Sequence, residues 1–164
     1  MPLECRKALH GDFPALAQML ELYQYELSHI WPQALDAQGR YGYDLTRHRA
    51  GERFHAHVAL RDGEYAGFAL VAPAAVTRTE GAWMEQFFIL KRHRREGAGR
   101  LLARHVFESH PGPWEVGQMP ANHAARAFWR KVIAEVTTGL FTEVQVTEGP
   151  WQGVVQRFEV AAKV

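Results

Sequence analysis

The stretch from Glu85 to Leu102 constrains this chain more than any other. It opens as Glu85-Gln86-Phe87-Phe88-Ile89-Leu90, an almost wholly apolar run with the composition of a buried strand. Five basic or histidine residues, Lys91 to Arg95, follow, and then Glu96-Gly97-Ala98-Gly99-Arg100-Leu101-Leu102 leads into a helical pattern. A helix N-terminus carries unsatisfied N–H groups and a partial positive charge. Glycines let an anion approach that backbone closely, and the basic loop adds counter-charge. A strand, a basic loop and a glycine-opened helix together make a diphosphate site. The dinucleotide fingerprint would need a third glycine where Leu102 stands, and the P-loop would need a Gly-Lys-Ser/Thr triplet that the chain lacks. Both NAD and ATP are thereby disfavoured.

The rest of the chain supplies a frame for that segment. Leu3 to Leu9 reads as a first strand. Asp12 stands as an N-cap and Pro14 sits in the first turn of a helix running to about Ser28, with Phe13, Leu16, Leu20, Tyr23 and Leu27 on its apolar stripe. Tyr41 to Arg49 offers one or two helical turns. Phe54–Leu60 and Tyr65–Val76 are strands joined through Asp62-Gly63, a hairpin signal, and Trp83–Leu90 is the third strand. The glycine-opened helix, with Ala98, Leu101, Leu102, His105 and Val106 on one face, stops at Pro111-Gly112-Pro113. Trp114–Gln118 is a short strand, Pro120 and Asn122 start a helix through Trp129 and Val132, and Val136–Val146 and Trp151–Ala161 alternate as two final strands around Thr147 to Pro150. This order predicts one α+β domain over residues 1–164, built on a mixed sheet of about seven strands flanked by helices, with a parallel pair in its middle.

Charge and composition narrow the function. Nineteen Lys and Arg against 18 Asp and Glu leave a net charge of +1, so bulk charge does not hold the chain on nucleic acid or an anionic membrane. No apolar run approaches the length of a membrane span. Cys5 is the one cysteine, which excludes an intrachain disulfide, and Met1 to His10 has no signal-peptide pattern; a cytoplasmic location is expected.

Two motifs carry a resemblance. Arg94-x-x-Gly97-x-Gly99 after a strand is similar to the Arg/Gln-x-x-Gly-x-Gly/Ala signature of the GNAT superfamily of acetyl-CoA-dependent N-acetyltransferases. Asn122-x-x-Ala125-x-x-Phe128-Trp129 resembles that family's second motif. The order of elements is similar to the GNAT arrangement across nearly the whole chain. Leu22-Tyr23-Gln24-Tyr25, Gly39 to Tyr43 and Glu85 to Phe88 resemble a bacterial branch called simply predicted acetyltransferases.

The resemblance implies a cofactor, acetyl-CoA, and a set of roles. Two central strands splay, and pantetheine pairs with the backbone of Phe87, Phe88 and Ile89. N–H groups from Arg94, Arg95, Glu96, Gly97, Ala98, Gly99 and Arg100 hold the diphosphate, Asn122 bonds the pantetheine or its thioester end, and Phe128 and Trp129 pack beside it. Tyr23, Tyr41 and Tyr43 fall where the family lines its acceptor pocket. The implied reaction is direct transfer of acetyl to a primary amine of a small molecule or peptide. One departure stands out: many members carry a tyrosine at the place of Trp129 to protonate the leaving thiolate, and an indole N–H is too weak an acid for that.

Alternatives stay open at this level. Glu85 is either the general base that takes a proton from the acceptor ammonium or a paired structural carboxylate. Lys91 to Arg95 serves as a phosphate clamp or, on a rival reading, as a nucleic-acid contact. His55 and His57 share a strand face but no third ligand stands out, so no metal site is expected. Cys5 is a buried or edge thiol with no base beside it. A non-catalytic acyl-CoA sensor on the same fold is the other rival. The final strands, rich in Val and Phe, could pair across a homodimer.

Overall fold

The computed structural model describes residues 2–163. A seven-stranded sheet runs β1-β2-β3-β4-β5-β7-β6. Its strands are β1 (Leu3–Lys7), β2 (His55–Arg61), β3 (Glu64–Pro73), β4 (Ala82–Ile89), β5 (Gly112–Gln118), β6 (Phe141–Val146) and β7 (Gly153–Val160). The helices are α1 (Phe13–Leu27), α2 (Thr46–Ala50), α3 (Ala98–Ser109) and α4 (His123–Thr137). Neighbouring strands are antiparallel except β4 and β5, which run parallel as the helix between them requires.

The sheet buries both faces. On one, Leu102, Val106 and Phe107 of α3 and Trp129, Val132 and Ile133 of α4 pack over Trp114, Val116 and Phe158. On the other, Phe13, Leu16 and Leu20 of α1 cover Val58, Phe68, Leu70 and Phe88. The faces alternate along the strands as the period-2 pattern demands. Among the described residues no helix is long and apolar enough to cross a membrane.

Several boundaries move. The first strand ends at Lys7, because the Asp12 carboxylate accepts from the Leu9 N–H at 2.7 Å and pulls the chain into a 3-10 turn at His10–Asp12. Asp12 makes no side-chain cap for α1. It bonds Arg6 at 2.6 Å and accepts from the Tyr65 hydroxyl at 2.6 Å, and these partners hold its carboxyl down at about 2. Only Thr46–Ala50 of the Tyr41–Arg49 stretch is helical. The expected strand from Val136 is helix as far as Thr137, since α4 ends only at left-handed Thr138 and Gly139. Leu101, assigned to the buried face of α3, is exposed. His55 and His57 are no isolated pair: His57 is buried, with Nδ1 3.0 Å from His105 Nε2 and Nε2 2.8 Å from His110 Nε2, and the His55 ring lies 4.7 Å from that of His110. No grouping of these among the described residues is arranged to hold a metal ion.

Candidate active site

The sheet opens in its middle. The ladder between β4 and β5 holds only at Ala82↔Trp114 and Trp83↔Glu115. Beyond it β4 stays paired to β3 through Ile89, and β5 stays paired to β7 through Gln118. Each therefore turns one edge of unpaired backbone N–H and C=O groups into the gap. Buried or half-buried backbone without partners is costly, so such an edge is a ready-made hydrogen-bonding strip for an extended ligand. A cleft of about 740 Å³ follows the gap.

On β4 the register skips a residue. Leu70 faces Gln86 and Val71 faces Met84, which leaves Glu85 in a bulge with no opposite number. A bulge re-aims the side chain it carries. Here it brings the half-buried Glu85 carboxylate, Oε1, to 2.8 Å from Nε2 of His48 on α2. The charged residue inside an apolar strand is thus an irregular position, not a satisfied core group.

The glycine-rich entry to α3 has an equally specific geometry. A 3-10 turn at Lys91–His93 follows β4, then Arg95 and Gly97 both take left-handed backbone, at φ 67° and 77°. Left-handed residues in a turn before a helix gather N–H groups into a concavity suited to an anion. A Cβ on Gly97 would meet nothing, so that glycine is needed for its dihedral. Gly99 is needed for room, but toward α4: a Cβ there would lie 3.1 Å from Cε1 of Phe128. Close packing of the two helices that flank the cleft, rather than the approach of a phosphate, is what this glycine directly permits.

The basic run is partly spent within the fold. Arg94 makes a bidentate pair with Glu26 of α1 at 2.8 and 2.6 Å, bonds the Ile89 carbonyl at 2.8 Å, and lies over the Phe88 ring. The Arg94 guanidinium holds Glu26 below the usual carboxylate range. Arg92 pairs with Glu64 and His93 is buried. Glu96 pairs with Arg61 and Arg100 with Glu135, both away from the gap.

Of the expected site residues, the cleft gathers Glu85, Phe87, Phe88, Ile89, Arg94, Asn122, Phe128, Trp129, Tyr23 and Tyr43 in one place. Phe87 meets Phe128 and Trp129 at ring distances of 5.7 and 4.8 Å. Asn122 caps α4, its Oδ1 accepting from the Ala125 N–H. Tyr23 packs against Phe68 and Phe88, and burial pushes its hydroxyl up. Tyr43, also raised by burial, donates to Gln24. Arg95, Glu96, Gly97, Ala98, Gly99 and Arg100 are not among the residues lining the cleft, and Tyr41 lines a separate shallow depression with Leu22, Tyr25 and Leu35. Cys5 is half-buried, and burial raises its thiol to about 11, which fits an inert group. Sequence reasoning missed His48, Glu26, Trp83 and Trp151. The last two pack edge to face at 5.3 Å along the cleft. It also missed Glu115, which is fully buried on β5 and accepts from the N–H groups of Ala75, Val76 and Thr77, tying down the loop after β3.

The chain is similar in structure to several solved acetyltransferases. A ribosomal-protein-alanine N-acetyltransferase from Brucella melitensis aligns at 22% identity over 96% of this chain and 99% of that one, with a TM-score of 0.66. An acetyltransferase from Thermus thermophilus aligns at 17% identity over 98% of both chains, with a TM-score of 0.68. The PaiA N-acetyltransferase from Thermoplasma acidophilum, solved with coenzyme A, aligns at 14% identity over 97% of this chain and 99% of that one, with a TM-score of 0.67. At such identities the likeness shows the fold. No curated protein matches the chain by sequence. The model of the Acetyltransferase (GNAT) family matches residues 16–133, which hold the bulge, both motifs and the cleft lining apart from Trp151. The chain accordingly belongs to the GNAT acetyltransferase family and is an acyltransferase.

Proposed function

We propose that this chain is a single GNAT domain that transfers acetyl from acetyl-CoA to a primary amine, with Glu85 as general base. The observation that carries the reading is the parted β4–β5 ladder, with the bulged Glu85 carboxylate near the point of parting and the left-handed Arg95–Gly97 turn beyond the end of β4. Acetyl-CoA suits this groove chemically. Its pantetheine arm carries amides that can complete the backbone edge along Phe87, Phe88 and Ile89, where the Ile89 carbonyl is already held by Arg94, and its diphosphate suits the turn from Arg94 to Arg100. Apolar walls at Phe128 and Trp129 flank the path. Bound there, acetyl-CoA supplies an acyl group already activated as a thioester.

The chain's own residues then handle protons. An amine arrives as an ammonium and is no nucleophile until it loses one. Glu85 accepts that proton and hands it to water. With acetyl-CoA bound, the freed nitrogen would add to the acyl carbon, backbone N–H groups near Phe87 to Ile89 would offset the charge that builds on the acyl oxygen, and the carbon–sulfur bond would then break as that charge returns. The acylated nitrogen loses its second proton and the thiolate gains one, through water. Trp129 supplies no proton: it is buried, edge to face with Phe87, Phe107 and Phe128. Tyr23 and Tyr43 frame the acceptor end together with Glu85, Trp83 and Trp151.

The decisive experiment is a panel of amine acceptors, small molecules and short peptides, with free thiol release as the readout and acetyl-CoA binding followed by calorimetry. Turnover on at least one amine, with Glu85→Gln losing most of the rate but binding acetyl-CoA normally, is the expected result. Tight acetyl-CoA binding with no turnover on any amine supports the sensor instead, a reading that Trp129 in the tyrosine position favours. No acetyl-CoA binding at all refutes both.

A further inference from the structure

We infer that His48 is the positioning residue for Glu85, holding one carboxylate oxygen so that the other is aimed into the cleft as the proton acceptor. The inference rests on the reading of Glu85 as base. Glu85 sits in a bulge, where no opposing residue restrains it, and a carboxylate on such a position would sample several orientations. His48 removes that freedom. Its Nε2 is 2.8 Å from Glu85 Oε1, and its side chain is almost fully buried against a partner that is a quarter exposed. The imidazole is itself packed edge to face with Phe54 at 5.4 Å, and Arg47 lies over the Phe54 ring at 4.1 Å. Glu85 Oε2 has no hydrogen-bond partner among the described residues, and Glu85 lines the cleft.

The state of the imidazole follows from its second nitrogen. Nδ1 of His48 is buried with no hydrogen-bond partner. A cationic imidazole would bury an unpaired N–H there, whereas a neutral ring with its proton on Nε2 leaves only a bare lone pair. His48 therefore donates from Nε2 as a neutral group. A neutral donor orients the carboxylate without cancelling its charge, which is what a base needs. No proton moves through His48 in the reaction. Ionisable groups near the pair include Tyr43 and Asp44 from the segment before α2, Arg47 over the Phe54 ring and His55 at the start of β2.

The test joins kinetics to nitrogen NMR on the full chain. H48F keeps an aromatic ring but deletes the donor, and H48Q restores a donor near the Nε2 position. With the amine that the acceptor panel yields, H48F should lower kcat about tenfold, part of the ~10²–10⁴ that a placed base supplies, and leave the KM for acetyl-CoA unchanged. H48Q should recover most of that loss. In an E85Q background H48F should add nothing, since the group it positions is gone. Nitrogen-15 shifts of the free protein at neutral pH should show His48 as the Nε2–H tautomer, with that proton lost to exchange in E85A. A His48 that carries its proton on Nδ1, or an H48F loss that persists undiminished in the E85Q background, overturns the inference. The failure of the base reading looks different: E85Q would keep wild-type rates. The tautomer measurement needs no turnover, and it decides the contact even if H48F fails to fold.

Discussion

Acidification should loosen this fold through one buried histidine. His57 lies under α3 with both ring nitrogens bonded to other imidazoles, those of His105 and His110. Burial, then His110, His105, His55 and Lys7, drives its value from 6.5 down to about 3. The unfolded chain therefore binds more protons than the folded one between those two values. Stability is intact above pH 6.5 and falls as pH drops toward 3. With 6.5 unfolded and about 3 folded, linkage gives a loss of about 2 kcal/mol between pH 7 and pH 5 from His57 alone. His110, lowered to about 4, and His55 and His105, both lowered by burial, act in the same direction. Urea unfolding of the wild type and His57→Leu at the two pH values isolates the effect. The variant starts from a lower baseline because it forfeits two hydrogen bonds, but its loss between pH 7 and pH 5 should be smaller by about 2 kcal/mol. An identical pH dependence in the two proteins would refute the argument.

Other perturbations test other parts of the structure. Arg95→Gly should stabilise the protein by about 1 kcal/mol in thermal melts, because the left-handed backbone at φ 67° strains a residue with a Cβ; coenzyme A affinity should stay within a few-fold if the turn binds through its backbone. Gly99→Val should weaken acetyl-CoA binding at least tenfold, about 1.4 kcal/mol by calorimetry, by driving Phe128 into the cleft from its 3.1 Å contact. Asp12→Ala should cost about 2 kcal/mol at neutral pH by denaturant unfolding, the penalty fading as pH falls from about 4 to about 2, because Arg6 and Tyr65 stabilise the ionised carboxylate.

The order of elements was readable because each left a local mark. Pro14 fell in the first turn of α1, Asp62-Gly63 made the β2–β3 hairpin, and the glycine pair opened α3. Where several local solutions compete, the sequence was a poorer guide. Asp12 has the chemistry of an N-cap, but the Leu9 N–H, Arg6 and the distant Tyr65 together draw it into a different network. Val136 and Thr137 have strand-forming side chains, yet burial of Thr137 and its bond to the Ile133 carbonyl keep them in α4 until Thr138 and Gly139 can turn. Glu115 alternates with Trp114 and Val116 as an outward residue should, and it is buried all the same, because the loop after β3 folds over it with three backbone donors.

The cleft divides in the same way. The part proposed for the cofactor lies largely on contiguous sequence, from Phe87 to Arg94 of the cleft and on through the turn to Arg100, where spacing alone can show a strand, a turn and a helix start. The reacting half is assembled by contacts that sequence spacing cannot encode. Glu85 could be noticed as a charge in an apolar strand, but its role turns on a bulge set by the β3 register and on a histidine 37 residues away. Arg94 shows the converse. The motif marks it as a phosphate-side cation, while its side chain is bound in a bidentate pair to Glu26, 68 residues upstream. That pair fixes the end of β4 against α1. On the proposed reading, what the motif would offer a diphosphate here is chiefly backbone geometry, held in place by a side chain already paired with Glu26.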